Sequence, residues 1–179
     1  MRRITALMAA TISVSALAFI FVSSDASADT SAQRGKYLVQ ITGCNDCHTT
    51  AYAERAGDVP MADWLTGQPV GFSGPWGTSY PSNLRLSLSR MTEDQWLLFA
   101  RSPRRPPMPW FALRDMSDTD LRAMYRFVRS LGVKGEAMPA AVAPGGKVRT
   151  PVIPFVPMSP EALAAANQKS LRLSQAERR

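Results

Sequence analysis

The chain is poor in the side chains that most often hold metals: 179 residues carry one histidine and two cysteines. A structural zinc site normally needs four Cys or His ligands, and only three such side chains exist here. In an oxidising compartment an even cysteine count suggests a disulfide, but these two cysteines stand three residues apart with the histidine directly after them. Acidic residues are also scarce, 14 against 21 Lys and Arg, for a net charge of +7. The hydrophobic share of 45% suits one compact domain with extensions.

The scarce residues are concentrated in one stretch, Cys44-Asn45-Asp46-Cys47-His48. C-x-x-C-H is the attachment signature of a c-type haem. Two thiols at that spacing reach the two vinyl groups on one porphyrin edge, and the next residue turns its imidazole onto the iron. Cys44 and Cys47 are therefore the expected covalent attachment points of one haem c, with His48 the expected proximal iron ligand. A thioredoxin-like redox pair is the competing reading, but it calls for a strand before the motif. The preceding Arg34-Gly35-Lys36-Tyr37-Leu38-Val39 reads instead as the end of a helix.

The chain begins Met1-Arg2-Arg3, runs apolar from Ile4 to Val22, turns polar, and reaches Ala26-Ser27-Ala28. This is the pattern of a secretory signal over residues 1–28, cleaved after Ala28. The apolar run also has the length of a bilayer helix, so an uncleaved N-terminal anchor is the alternative. Either way the remainder lies across the membrane, in the periplasm. A cytochrome domain is expected over 29–134 and a Pro-rich tail with a short terminal helix over 135–179.

Thr30 is the expected N-cap of a first helix with Gly35, Tyr37, Leu38 and Ile41 on its apolar side, ended by Gly43. Residues 49–90 read as loop, dense in Gly and Pro from Gly67 to Gly77. A loop that long usually wraps something. Trp64, Phe72, Trp76, Tyr80 and Leu84 are its expected haem lining, and Arg85 the residue expected to pair with a haem propionate. Thr92-Glu93-Asp94-Gln95 is a capping box opening a helix that stops at Ser102-Pro103. Ser117 caps a last helix whose apolar stripe is Leu121, Met124, Tyr125, Val128 and Leu131, closed by Gly132. Beyond it, Met138 to Pro160 has no period, and Ser159-Pro160-Glu161 starts a short helix to about Leu173.

Without a second histidine, bis-histidine ligation within the chain is excluded. A thioether is the common alternative in electron-transfer haems. Met61, Met91, Met108, Met116, Met124, Met138 and Met158 follow the leader. Met124, on a periodic helix face, reads as core. Met108 is held between prolines in Pro106-Pro107-Met108-Pro109-Trp110 and ranks first, with Met116 and then Met61 behind it. Trp110 joins Trp76, Tyr80 and Arg85 as a possible pocket residue.

Gly35-x-Tyr37-Leu38, Gly43-Cys44-x-x-Cys47-His48-Thr49, Gly74-Pro75-Trp76-Gly77-x-Ser79-Tyr80 with Asn83-Leu84, Pro107-Met108-Pro109-Trp110 and Met116-Ser117-Asp118-x-Asp120-Leu121 occur in that order. Over roughly residues 32–131 this resembles the bacterial class I c-type cytochromes, in particular single-haem relatives of the cytochrome subunits of periplasmic dehydrogenases. The resemblance implies an all-α cytochrome c fold, several helices around one covalently attached haem, and electron transfer in place of enzyme catalysis. It also implies Met108 as the distal ligand. The chain is shorter than many relatives between Leu84 and Thr92.

The expected function is a periplasmic one-electron carrier with His/Met-ligated haem c. Its partners are redox proteins: a dehydrogenase or quinol-oxidising donor, and an oxidase or reductase acceptor. Arg101, Arg104 and Arg105 suggest positive charge near the haem edge that steers an acidic partner. The alternatives are a haem subunit tethered to one dehydrogenase by the Pro-rich tail, and a sensor or peroxidase with an open sixth position. A dihaem peroxidase would need a second C-x-x-C-H. Nucleic acid is not an expected partner, and a membrane is one only if the signal is retained.

Overall fold

A computed structural model describes residues 23–176 and 178, with side chains from Thr30 onward. The apolar run of the leader lies outside the described residues, and among those described no helix is long and apolar enough to cross a membrane. The first helix, α1 (Ser23–Ile41), passes through the expected cleavage point after Ala28, so Thr30 sits inside the helix and does not cap it. Its buried face is Gly35, Leu38 and Val39, at i, i+3 and i+4. Tyr37 and Ile41, expected on that face, are 51% and 59% exposed. Gly43, at φ 69°, ends the run in a left-handed turn that leads directly into α2 (Cys44–His48).

The opposing helix is α6 (Asp118–Ser130). Ser117 caps it through Oγ, 3.1 Å from the Asp120 amide, and Leu121, Met124, Phe127 and Val128 are buried along one stripe. α4 (Glu93–Arg101) packs on α6 as well and is opened by the Thr92–Gln95 capping box with both reciprocal bonds formed, at 3.2 and 2.8 Å. It stops at Ser102, before Pro103. The Trp96 indole donates to the Leu121 carbonyl at 2.8 Å, tying α4 to α6, and Glu93 pairs with Arg122 and Arg126 across the same contact.

The fold is mostly helical, though not purely so. A small sheet of order β2-β1-β3 forms from β1 (Gly71–Gly74), β2 (Gly77–Ser79) and β3 (Val152–Pro154), with β1 antiparallel to β2 and parallel to β3. The stretch read as loop thus holds a hairpin and two short helical pieces, a 3-10 turn at Met61–Asp63 and α3 (Leu84–Ser89). Strands of four and three residues that begin or end in glycine show no period, and α3 is announced mainly by its cap, Asn83, whose side chain accepts from the Leu86 amide at 3.0 Å. A further short helix, α5 (Trp110–Asp115), follows the Pro-Met-Pro segment.

The Pro-rich segment lies against the body. Val142 pairs with Thr78 through two 2.9 Å backbone bonds, the Tyr80 and Thr150 hydroxyls are 2.7 Å apart, and β3 extends the hairpin. Phe155 meets Phe72 and Trp76 edge-on. Then α7 (Pro160–Ala176) runs with no buried residue.

Candidate functional site

Cys44, Cys47 and His48 sit in one helical turn directly after the left-handed Gly43, and that turn places all three on the wall of one cavity of about 300 Å³. The far wall comes from Trp96, Phe99 and Ala100 of α4, the i, i+3, i+4 stripe of that helix. Met108 and Leu113 close it from the segment between α4 and α6, and Phe72, Tyr80 and Leu84 from the hairpin and α3. The size is that of a small-molecule site. Its lining is mostly apolar, with His48, Ser79, Ser82, Arg104 and Arg105 as the polar exceptions outside the cysteines.

His48 is 7% exposed. Its Nδ1 lies 2.7 Å from the Ser82 carbonyl oxygen. A carbonyl only accepts, so Nδ1 carries the proton and Nε2 keeps the free lone pair. Burial pushes the imidazole below its ordinary pKa, which favours the neutral ring. Both cysteines are free thiols, and burial pushes both above their ordinary pKa. A reactive dithiol pair has the opposite shift, and here a helix, not a strand, precedes the motif. Among the described residues no group of three or more His, Cys, Asp or Glu is arranged to hold a metal ion directly.

The donor set therefore fits a covalently held haem: two thiols, an imidazole with its second nitrogen fixed and its lone pair free, and the Met108 thioether, all on one apolar cavity. The second nitrogen of a metal-ligating histidine is usually held in this way, by a carbonyl or carboxylate. Pro107 and Pro109 flank Met108, the Pro106–Pro107 bond is cis, and Ser79 Oγ donates to the Pro106 carbonyl at 2.6 Å, fastening this loop to the hairpin.

Of the other expected pocket residues, Tyr80 lines the cavity, whereas Trp76, Trp110 and Arg85 do not. Trp76 folds back over Gly74 and against Phe155. Trp110 opens α5 and lies under the Arg114 guanidinium, 5.4 Å from it. Trp64, also expected in the lining, is buried in the core between Tyr52 and Phe127, its indole donating to the Val59 carbonyl. Arg85 is 6% exposed, and its guanidinium donates to the carbonyls of Ala62, Leu131 and Gly132. It closes the C-terminal end of α6 and does not line the cavity.

The sequence reading missed Arg104 and Arg105 as wall residues and Met124 as a second thioether on the cavity. The α4 stripe was legible as a buried helix face, but nothing local says that half of it faces a ligand. Met116, ranked second as a ligand, packs against the core cluster away from the lining, and Met61 is 44% exposed on the 3-10 turn.

No family model matches the chain, and no solved structure does either. The chain is similar to the gluconate 2-dehydrogenase cytochrome c subunit of Pantoea cypripedii, 30% identical over 115 residues, which cover 56% of this chain and 26% of that protein. The chain thus matches about a quarter of the length of this curated relative. At that distance the likeness is to a cytochrome c subunit of a dehydrogenase in general terms.

Proposed function

We propose that the protein is a monohaem c-type cytochrome with the cytochrome c fold, a one-electron carrier of the periplasm. The observation that carries this reading is the meeting of Cys44, Cys47, His48 and Met108 on one apolar cavity. Cys44 and Cys47 supply the thiols: each S–H adds across a vinyl C=C, forming a C–S bond while the proton ends on the neighbouring carbon. His48 would hold the iron through Nε2, its ring fixed by Ser82, and Met108 would hold it through its sulfur. When bound, the haem would supply a reversible one-electron couple. A thioether ligand would favour the reduced iron and raise the potential. No substrate chemistry is assigned to the chain.

Residues 1–28 serve as a cleaved leader and 29–134 as the haem domain, with the Pro-rich segment strapped over the hairpin edge. The similarity to a dehydrogenase cytochrome subunit favours a second reading, a haem subunit bound to one periplasmic dehydrogenase. Co-purification of a dehydrogenase with the tagged chain separates the two.

The test of the common reading is haem staining after denaturing electrophoresis of protein matured with the export and haem-attachment machinery. Wild type stains and Cys44→Ser/Cys47→Ser does not. A wild-type chain that releases all its haem on denaturation overturns the proposal.

A further inference from the structure

The cavity is apolar and no Asp or Glu lines it, yet two arginines do, Arg104 and Arg105. Their neighbours in sequence have found carboxylates: Arg101 pairs with Asp118 at 2.6 Å and Arg114 with Asp115 at 2.7 Å. Arg104 has none among the described residues. Its guanidinium stacks 3.9 Å from the Phe99 ring centroid and donates to the carbonyls of Phe99, Ser102 and Pro103. These neutral acceptors fix the fork in place but leave its charge uncompensated, and burial lowers its pKa. A fixed, partly buried cation on an apolar wall is costly unless the ligand brings an anion. The loop that carries it is fastened by the bond from Ser79 to the Pro106 carbonyl.

We propose that Arg104, with Arg105 beside it, is the carboxylate-binding site of this cavity, and that the carboxylates are the propionate groups of the haem. This rests on the haem reading above. The guanidinium fork suits a carboxylate in a bidentate geometry that an ammonium does not reproduce. Arg104 thus takes the role expected of Arg85. It also changes the account of charge at the cavity mouth. With Arg101 held by Asp118 and Arg104 facing a propionate, the exposed Arg105 is the one of the three left to face solvent or a partner. Beside it two apolar side chains are also exposed, Leu98 at 75% and Phe99 at 40%.

The test is potentiometric, on isolated, haem-loaded protein, comparing wild type with Arg104→Gln, Arg104→Lys and Arg101→Gln. Removing a cation beside the propionates favours the more positive Fe(III) state. A unit charge about 10 Å from the iron, at an effective dielectric of about 20, would shift the Fe(III)/Fe(II) ratio at fixed potential on the order of tenfold. Arg104→Gln is expected to show a shift of that order, Arg104→Lys a smaller one and Arg101→Gln none. Infrared redox-difference spectra of haem 13C-labelled at the propionates give a second readout, in which the labelled carboxylate bands of wild type move in Arg104→Gln. Should the Gln variant fail to mature, the Lys variant carries the same comparison with the charge retained, through the infrared bands. If the haem is covalent and His/Met ligated but potential and bands are unchanged, this inference falls and the haem reading stands. An unchanged potential with salt-dependent loss of affinity for a redox partner overturns it in favour of a partner-facing arginine. Absence of covalent haem removes both.

Discussion

Gly35 of α1 lies directly against the backbone of Ala123 of α6. A Cβ built at Gly35 would sit 2.0 Å from the Ala123 carbonyl oxygen and 2.9 Å from the Phe127 Cβ. The obstacle is main chain, which no rotamer change moves aside. Gly35→Ala is therefore expected to push the helices apart at a cost of about 3 kcal/mol or more, with a fall in Tm on the order of 10 °C. The same substitution at Gly132, at φ 71° with nothing within 4 Å of a Cβ, should cost only the left-handed strain, about 1 kcal/mol. Thermal melts followed by circular dichroism check both, and equal costs would show that close packing is not what Gly35 provides.

Arg85 is a structural arginine in this account. Arg85→Leu leaves the Ala62, Leu131 and Gly132 carbonyls without their donor, and each partly buried acceptor left unpaired costs about 1 kcal/mol or more. The variant is expected to lose about 3 kcal/mol in urea unfolding while keeping the wild-type midpoint potential. A potential shift as large as that of Arg104→Gln would return Arg85 to the haem.

The helices with caps and long stripes were legible because local chemistry specifies them. Thr92 with Gln95 and Ser117 with its apolar stripe announce α4 and α6, and Gly43 announces the turn into the C-x-x-C-H motif. What was hidden depends on pairing at a distance. The β1–β2 hairpin is too short and glycine-rich to show alternation, and β3 becomes a strand only because it meets β1 some eighty residues upstream. Arg85 and Arg104 look alike in sequence. One is committed to helix-end carbonyls and the other to the cavity wall only by the packing of α3 and of the Pro-rich loop. Tyr37 and Ile41 were misplaced because a stripe at i and i+4 fits two adjacent faces of one helix, and Gly35 against Ala123 selects the other.

Acid sensitivity should come from the ion pairs between elements. Hydrogen bonding to Arg34 holds the Asp120 carboxyl below its ordinary value of 3.8, and Lys134 does the same for Asp63. A carboxylate lowered in the folded state contributes stability that is complete above its unfolded pKa and disappears as pH falls through the folded one. Stability is thus expected to be flat in this respect above about pH 5 and to decline below about pH 4. Asp120→Asn should flatten that decline and, as an exposed pair, change little at pH 7. Urea midpoints from pH 2 to 7 test this, and an unaltered acid limb in the variant would remove Asp120 from the explanation.

The last helix contributes little to the fold. No residue of α7 is buried, and an isolated helix of its length is marginal in water. Ending the chain after Met158 should leave Tm and the haem spectrum of the domain unchanged within about 0.5 kcal/mol. Ending it before Val142 removes the Thr78 pairing, β3 and the Phe155 contacts, and should destabilise the hairpin measurably. Equal stability of the two truncations would mean that the strap is not part of the cooperative unit.

Two methionines, Met108 and Met124, line the cavity, so on the proposed haem reading the choice of sixth ligand is between them. Met124 is 4% exposed in the middle of α6, with Leu121, Phe127 and Val128 buried around it. Packing on that helix fixes its side chain as part of the core. Met108 stands between prolines that donate no amide bonds, with its own carbonyl accepting from the Trp110 amide at 2.8 Å. Its side chain is free to turn to an iron while the loop stays in place. Met108→Ala should therefore abolish the weak far-red methionine-to-iron band of the oxidised protein and open the reduced iron to carbon monoxide. Met124→Leu should keep the band and lose about 1 kcal/mol of stability through altered packing. The reverse pattern would make Met124 the ligand. If wild type lacks the band and binds carbon monoxide freely, the sixth position is open and the carrier gives way to a sensor or peroxidase.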